Sequence, residues 1–165
     1  MYIEVPDVIE FSSGFGNPPD RANPGQGQIA NSATQGRGQR ILVVDDSLAW
    51  LHLARKILTA GGYQVHACEY PPDALSLLNE NSQQFDLVIT DLQMPCLDGI
   101  ELAAELLKIN AALPVVLTSA AEVEMTSEKL QSLGIRHFLT KPWERERLFS
   151  ILQQVLASTR SEGTS

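Results

Sequence analysis

Residues 86–99 read DLVITDLQMPCLDG. An apolar run stops abruptly on Asp91, and a Met-Pro step and an Asp-Gly step follow. The run at 86–90 is too short for a helix and has no polar face, so it predicts a strand covered on both sides. Met94-Pro95 reads as turn geometry and packing, and Asp98-Gly99 as a turn that starts the next helix. A buried strand that ends on a carboxylate raises the question of what the carboxylate does there. The same pattern occurs once before, in ILVVDD at 41–46.

Outward from these two stretches the chain alternates regularly. RILVVD (40–45) predicts a strand, and SLAWLHLARKILTAGG (47–62) a helix. In that helix Leu48, Leu51, Ala54, Ile57 and Leu58 keep helical spacing, Ser47 is an N-cap, and Gly61-Gly62 is a stop. YQVHACE (63–69) alternates as a strand, and PPDALSLLNEN (71–81) is a helix opened by prolines. After the strand at 86–90 come a helix at 99–110, a strand at 114–119, a helix at 122–134 stopped by Gly134, a strand at 137–140 and a helix at 143–158. Five strand–helix repeats of this length predict parallel strands with helical crossovers. The fold class is α/β, an open doubly wound sheet. Such sheets bind ligands at the carboxyl ends of their strands.

Composition narrows the function. The 165 residues suit one domain, and 44% hydrophobic content suits an ordinary core. With 12 basic and 20 acidic residues the net charge is −8, which gives no electrostatic footprint for nucleic acid or an anionic membrane. No run approaches the roughly 20 apolar residues of a membrane span, and the N-terminus lacks a signal-peptide pattern. Cys68 and Cys96 have neither metal spacing nor a disulfide framework, so a cytoplasmic setting is expected and both read as small apolar fillers. Residues 1–39 hold six of the 11 Gly and four of the nine Pro. Residues 12–39 read as a flexible linker, with MYIEVPDVIEF (1–11) either a short strand or the remnant of something upstream. Residues 159–165 read as a flexible tail.

The strand ends collect the chemistry. The first contributes Asp45 and Asp46, the third Asp91, the fourth Thr118 with Ser119 and Ala120 behind it, and the fifth Lys141 followed by Pro142. On one sheet edge these make three carboxylates, a hydroxyl and an ammonium. Carboxylates so placed repel and call for a cation. Hard oxygen donors with open positions suit Mg²⁺. A metal, an ammonium and a hydroxyl facing a carboxylate make a pocket for a phosphoryl group on that carboxylate. There is no glycine loop of the nucleotide-binding kind.

VVDD, DLQMPCLDG, LTSA and FLTKP, in this order and each at its own strand end, resemble the receiver domain of two-component response regulators. The resemblance covers about 40–158 and implies a flavodoxin-like sheet of five parallel strands, order 2-1-3-4-5, with five helices. It implies Asp91 as the phosphoacceptor, attacking a phosphohistidine on a sensor histidine kinase or a histidine phosphotransfer protein. Mg²⁺ would be held by Asp45, Asp46, Asp91 and the backbone carbonyl of Gln93. Thr118 would be the switch hydroxyl, Lys141 the partner of the phosphoryl group, Phe138 the switch aromatic, and the Lys141–Pro142 bond cis. The domain would be a switch and not an enzyme. It would contact proteins and neither nucleic acid nor membrane, with room for a homodimer.

Other features have plainer readings. His52 lies mid-helix, and His66 and His137 read as half-buried strand residues. WERER (143–147) is a solvated helix start, and Trp143 borders a docking surface for partners. The MPCLDG turn would leave Asp91 exposed. Gln93 and Ala120 flank the path of a water that would remove the phosphoryl group.

Three alternatives stay open. An aspartyl-nucleophile phosphatase would want an acid two residues after Asp91, where Gln93 stands. A receiver that only binds protein would lack the metal. The chain ends soon after its last helix, so the expectation is no output domain: either a stand-alone regulator, or the C-terminal receiver of a hybrid histidine kinase. MYIEVPDV and the Gly/Pro stretch after it resemble the last kinase strand and tether of such a protein.

Overall fold

The computed structural model describes residues 36–120, 127–132, 134–135 and 137–161, with the side chains of 127–129 and 159–161 left aside. Ten elements alternate: β1 (Arg40–Val44), α1 (Leu48–Ala60), β2 (Gln64–Cys68), α2 (Pro71–Glu80), β3 (Leu87–Asp91), α3 (Gly99–Ile109), β4 (Val115–Ser119), α4 (Ser127–Ser132), β5 (His137–Thr140) and α5 (Arg145–Ser161). The five strands form one sheet in the order β2-β1-β3-β4-β5, and every pairing is parallel. This is the expected doubly wound, flavodoxin-like arrangement with five helices.

The three inner strands are buried along their length, apart from Arg40 at the mouth of β1. Their side chains alternate between two cores, as the pleat requires. Leu42, Val44, Val88 and Leu117 pack with Ala74 and Leu78 of α2, Leu102 and Leu106 of α3, and Leu130 of α4. Ile41, Val43, Ile89 and Val116 pack on the other face with Leu51 and Leu58 of α1 and Leu148 and Leu152 of α5. Each fully buried leucine contributes roughly 1.5–3 kcal/mol. The edge strands β2 and β5 are only partly covered. His137 is accordingly half-buried, but His66 is exposed, with its ring edge-on to Phe85 at 5.8 Å between centroids.

Helix ends follow the local chemistry. The Ser47 hydroxyl accepts from the Trp50 amide at 3.4 Å and caps α1. At the other end Gly62 has φ of +85°, and a Cβ there would meet the Gly36 carbonyl at 2.6 Å. Asp98 caps α3: its Oδ1 accepts from the amides of Ile100 and Glu101, while Glu101 Oε2 accepts from the Asp98 amide. α5 starts at Arg145 and not at Trp143, since the Glu144 carbonyl takes the first helical bond, from Leu148. Trp143 itself is buried against Trp50 and the α1–α5 core. Its ring therefore lies in the core and not on the surface. Glu144 to Arg147 are exposed, as a solvated helix start should be.

The expected helix at 122–134 overlaps α4, with 121–126 and 133 outside the described residues. The readings of 1–35 and 162–165 also lie outside them. Of the expected linker, 36–39 is tied down: the amides of Gly36 and Gly38 donate to the carbonyls of Gly61 and Gly62. Of the expected tail, 159–161 belong to α5. Among the described residues no helix is long and apolar enough to cross a membrane.

Candidate functional site

The carboxyl edge of the sheet is set by backbone bonds that run on past the strand ends. The amide of Asp45 donates to Cys68 O at 3.1 Å, that of Leu92 to Thr118 O at 2.7 Å, and that of Lys141 to Ser119 O at 2.8 Å. Asp91 and Thr118 are register partners. The residues collected from four distant parts of the sequence therefore stand side by side.

Asp45 is 1% exposed, and its Oδ1 accepts from the Ser47 amide at 3.0 Å. Asp46, the next residue, is exposed. Asp91 is 7% exposed, and not open as the sequence suggested. Beside it is Lys141, whose Nζ lies 2.5 Å from Asp45 Oδ2 and 2.8 Å from Asp91 Oδ1. The contact with Asp91 is an ion pair, and among the described residues that buried oxygen has no hydrogen-bond partner. Burial pushes the Asp45 carboxyl above its ordinary range; the Lys141 ammonium and the Ser47 amide pull the other way, and Asp91 adds to the rise. A carboxyl driven upward beside two others is one that a cation would relieve.

One carboxylate oxygen from each of Asp45, Asp46 and Asp91 lies within 4.8 Å of the others. The donor set is all hard oxygen, which fits a small divalent cation.

Thr118 is buried, and its hydroxyl donates to Thr90 O at 3.4 Å. Ser119 beside it is buried as well. Phe138 is half-buried, sits opposite Leu117 in the β4–β5 register, and packs on the α2–α3–α4 core. Gln93 and Ala120 are exposed on the loops that leave β3 and β4. The Lys141–Pro142 bond is cis. His52 is exposed on α1. Cys68 is buried, as expected of a filler, and donates to Tyr70 O at 3.2 Å. Cys96 is not: it is exposed, with φ of +72°, in the turn after Pro95.

Trp50 was not among the residues the sequence singled out. Its ring lies over Lys141 Nζ, 5.0 Å from the centroid. One signal was available. Trp50 is the third residue after the Ser47 cap, and side chains in a first helical turn lean back toward the helix start. Here that start is the Asp45-Asp46 edge.

The chain matches the family described as response regulator receiver domain over residues 41–153. It is 35% identical over 149 residues to the two-component response regulator ARR2 of Arabidopsis thaliana, a match covering 85% of this chain and 22% of that protein. It is 36% identical over 124 residues to the transcriptional regulatory protein ZraR of Salmonella typhimurium, covering 74% of this chain and 27% of ZraR. The chain thus spans about a quarter of the length of these curated relatives. Among solved structures it is similar to a CheY-like receiver domain protein from Methanospirillum hungatei JF-1, with TM-score 0.69 and 25% identity over 76% of this chain and 99% of that one. It is also similar to the signal receiver domain of an HD domain-containing protein from Pseudomonas fluorescens Pf-5, with TM-score 0.68 and 28% identity over 76% and 99%.

Proposed function

Since the chain belongs to the response regulator receiver family, a family of two-component signalling, we propose that it is a phosphoacceptor switch in which Asp91 takes the phosphoryl group. The observation that carries this reading is Lys141 bridging Asp45 and Asp91 inside a group of three carboxylates. The donor is a phosphohistidine on a sensor histidine kinase or a histidine phosphotransfer protein. An Asp91 oxygen forms the new bond to phosphorus, and the phosphorus–nitrogen bond breaks. The imidazole leaves with the electron pair and is protonated from water.

Asp45, Asp46, Asp91 and the Gln93 carbonyl would hold Mg²⁺, which when bound supplies positive charge against the phosphoryl oxygens. This chain's own residues do the rest. Lys141 already lies at Asp91 and neutralises a phosphoryl oxygen there. The Thr118 hydroxyl, now on a long bond to Thr90 O, turns to donate to another. Space vacated behind Thr118 lets Phe138 and the face around α4 shift, which alters a surface read by a protein partner. The acting unit is 40–158, it works as a switch and not by turnover, and its setting is the cytoplasm.

The test is labelling by acetyl phosphate with Mg²⁺. Wild type takes up phosphate in an acid-stable, base-labile form, and Asp91→Asn does not. Equal labelling of the two would overturn the reading.

A further inference from the structure

Among the described residues Lys141 has three partners, and two of them change during the reaction proposed above. Asp45 belongs to the carboxylate group that would take a cation, and Asp91 exchanges its carboxylate for an acyl phosphate. The third partner is the Trp50 indole, with its centroid 5.0 Å from Nζ. It is not altered at any step.

The indole is itself held. Trp143, two residues past Lys141, meets Trp50 edge-on, with centroids 5.1 Å apart and planes at 85°. Trp143 is 7% exposed and belongs to the core under α1 and α5. Both indole Nε1 atoms are buried, and among the described residues neither has a hydrogen-bond partner. A buried N–H left unpaired costs stability, and leucine or phenylalanine would fill the space without it. Packing alone therefore does not account for an indole at Trp50. A π face does: it attracts a cation, indole more strongly than other rings, and more so where the cation has lost its water. The Lys141 side chain is 10% exposed.

We propose that Trp50 is a positioning residue for Lys141: its ring keeps the ammonium at the carboxylate edge while both carboxylate partners change, and Trp143 keeps the ring in place. A lysine side chain is a flexible four-carbon stem carrying a strongly hydrated charge. Without the ring, an ammonium released by Asp45 swings to solvent and must be recovered for each phosphoryl group. The proposal rests on the reading of Asp91 as phosphoacceptor.

The experiment uses fluorinated tryptophans, which drain the π face stepwise with little change in size. The chain has two tryptophans, so in Trp143→Phe the label falls on Trp50 alone. The readouts are the rate of acetyl phosphate labelling at saturating Mg²⁺ and the ring-current shift of the Lys141 ε-methylene protons. The rate should fall with each added fluorine. Trp50→Leu should lower it about three- to tenfold, and Trp50→Phe should restore part of it. The ε-methylene protons should be shifted upfield in wild type and not in Trp50→Leu. A flat fluorine series in a protein that labels, or an unshifted ε-methylene, would overturn the proposal. If Trp143→Phe does not fold, fluorinated wild type carries the same series. Failure of unfluorinated wild type to label would count instead against Asp91 as acceptor, and the ε-methylene shift would still decide the Trp50 contact.

Discussion

Gly99 lies directly on the backbone of Asp91: a Cβ at Gly99 would overlap the Asp91 carbonyl oxygen. The first residue of α3 and the last of β3 are thereby fixed to one another, with the Gly99 amide donating to Leu92 O at 3.0 Å. The obstacle is backbone and cannot swing aside.

Gly99→Ala should therefore displace the Asp91 backbone. A loss of about 1–3 kcal/mol in urea unfolding is expected, with slower acetyl phosphate labelling because the acceptor has moved. Wild-type stability and labelling in this variant would show that α3 can slide away without cost.

Asp46 separates metal binding from folding, being the one exposed member of the carboxylate group. Mg²⁺ at ten times its dissociation constant should stabilise wild type by about 1.4 kcal/mol. Asp46→Asn should keep wild-type stability without Mg²⁺ and lose most of that increment. Thermal unfolding with and without the ion is the measurement, and an undiminished increment would remove Asp46 from the ligand set.

Lys141→Met leaves Asp45 and Asp91 facing each other, with their side chains only 2% and 9% exposed. Removing one partner of a buried pair typically costs about 3 kcal/mol or more. The variant should unfold at lower urea than wild type at neutral pH and should gain more from Mg²⁺ than wild type does. A variant as stable as wild type would mean that the two carboxylates are already neutralised in another way.

The cysteines should differ sharply in reactivity. Iodoacetamide should modify exposed Cys96 in the native protein and reach buried Cys68 only in urea. Burial raises the Cys68 thiol and the Tyr63 phenol above their ordinary ranges. The folded chain then keeps protons that the unfolded chain releases near pH 8.5 and 10. Their contribution is present in full below those values and is lost as pH rises through them. The unfolding temperature should fall from pH 8 to pH 10, less steeply in Cys68→Ala. Native modification of both thiols at equal rates would contradict this burial.

The sheet was legible because its signals are local. Apolar runs such as 41–44 and 115–117 declare strands, and Ser47, Asp98 and Gly134 declare helix ends within a few residues. The grouping of Asp45, Asp46, Asp91, Thr118 and Lys141 was legible at one remove, because parallel strands put their carboxyl ends on one edge. Contacts made by long side chains across the fold were not. Nothing near Asp91 says that Lys141 lies beside it. Nothing near Trp143 says that it faces inward to Trp50, and a tryptophan after Lys-Pro reads equally well as surface. His66 was misread because alternation along β2 marks two faces but not how far the neighbouring helix covers each position. Cys96 was misread because a small apolar-like residue in a turn says nothing of where the turn points.

The three backbone bonds that carry the ladder past Asp45, Leu92 and Lys141 have one more consequence. They remove main-chain freedom at the carboxylate edge, where the proposed chemistry would take place. If Asp91 takes a phosphoryl group as proposed, the new dianion cannot be met by sliding these strands, since β1 is clamped to β2, β3 to β4 and β4 to β5 at that level. It can be met only by torsions: the χ angles of Thr118, of Lys141 and of the aromatic side chains behind them. Few torsions with few wells give a small reorganisation and a limited set of end states. A frame that is stiff where the chemistry occurs, and loose only in a handful of rotors, reports a chemical event as a discrete change of shape.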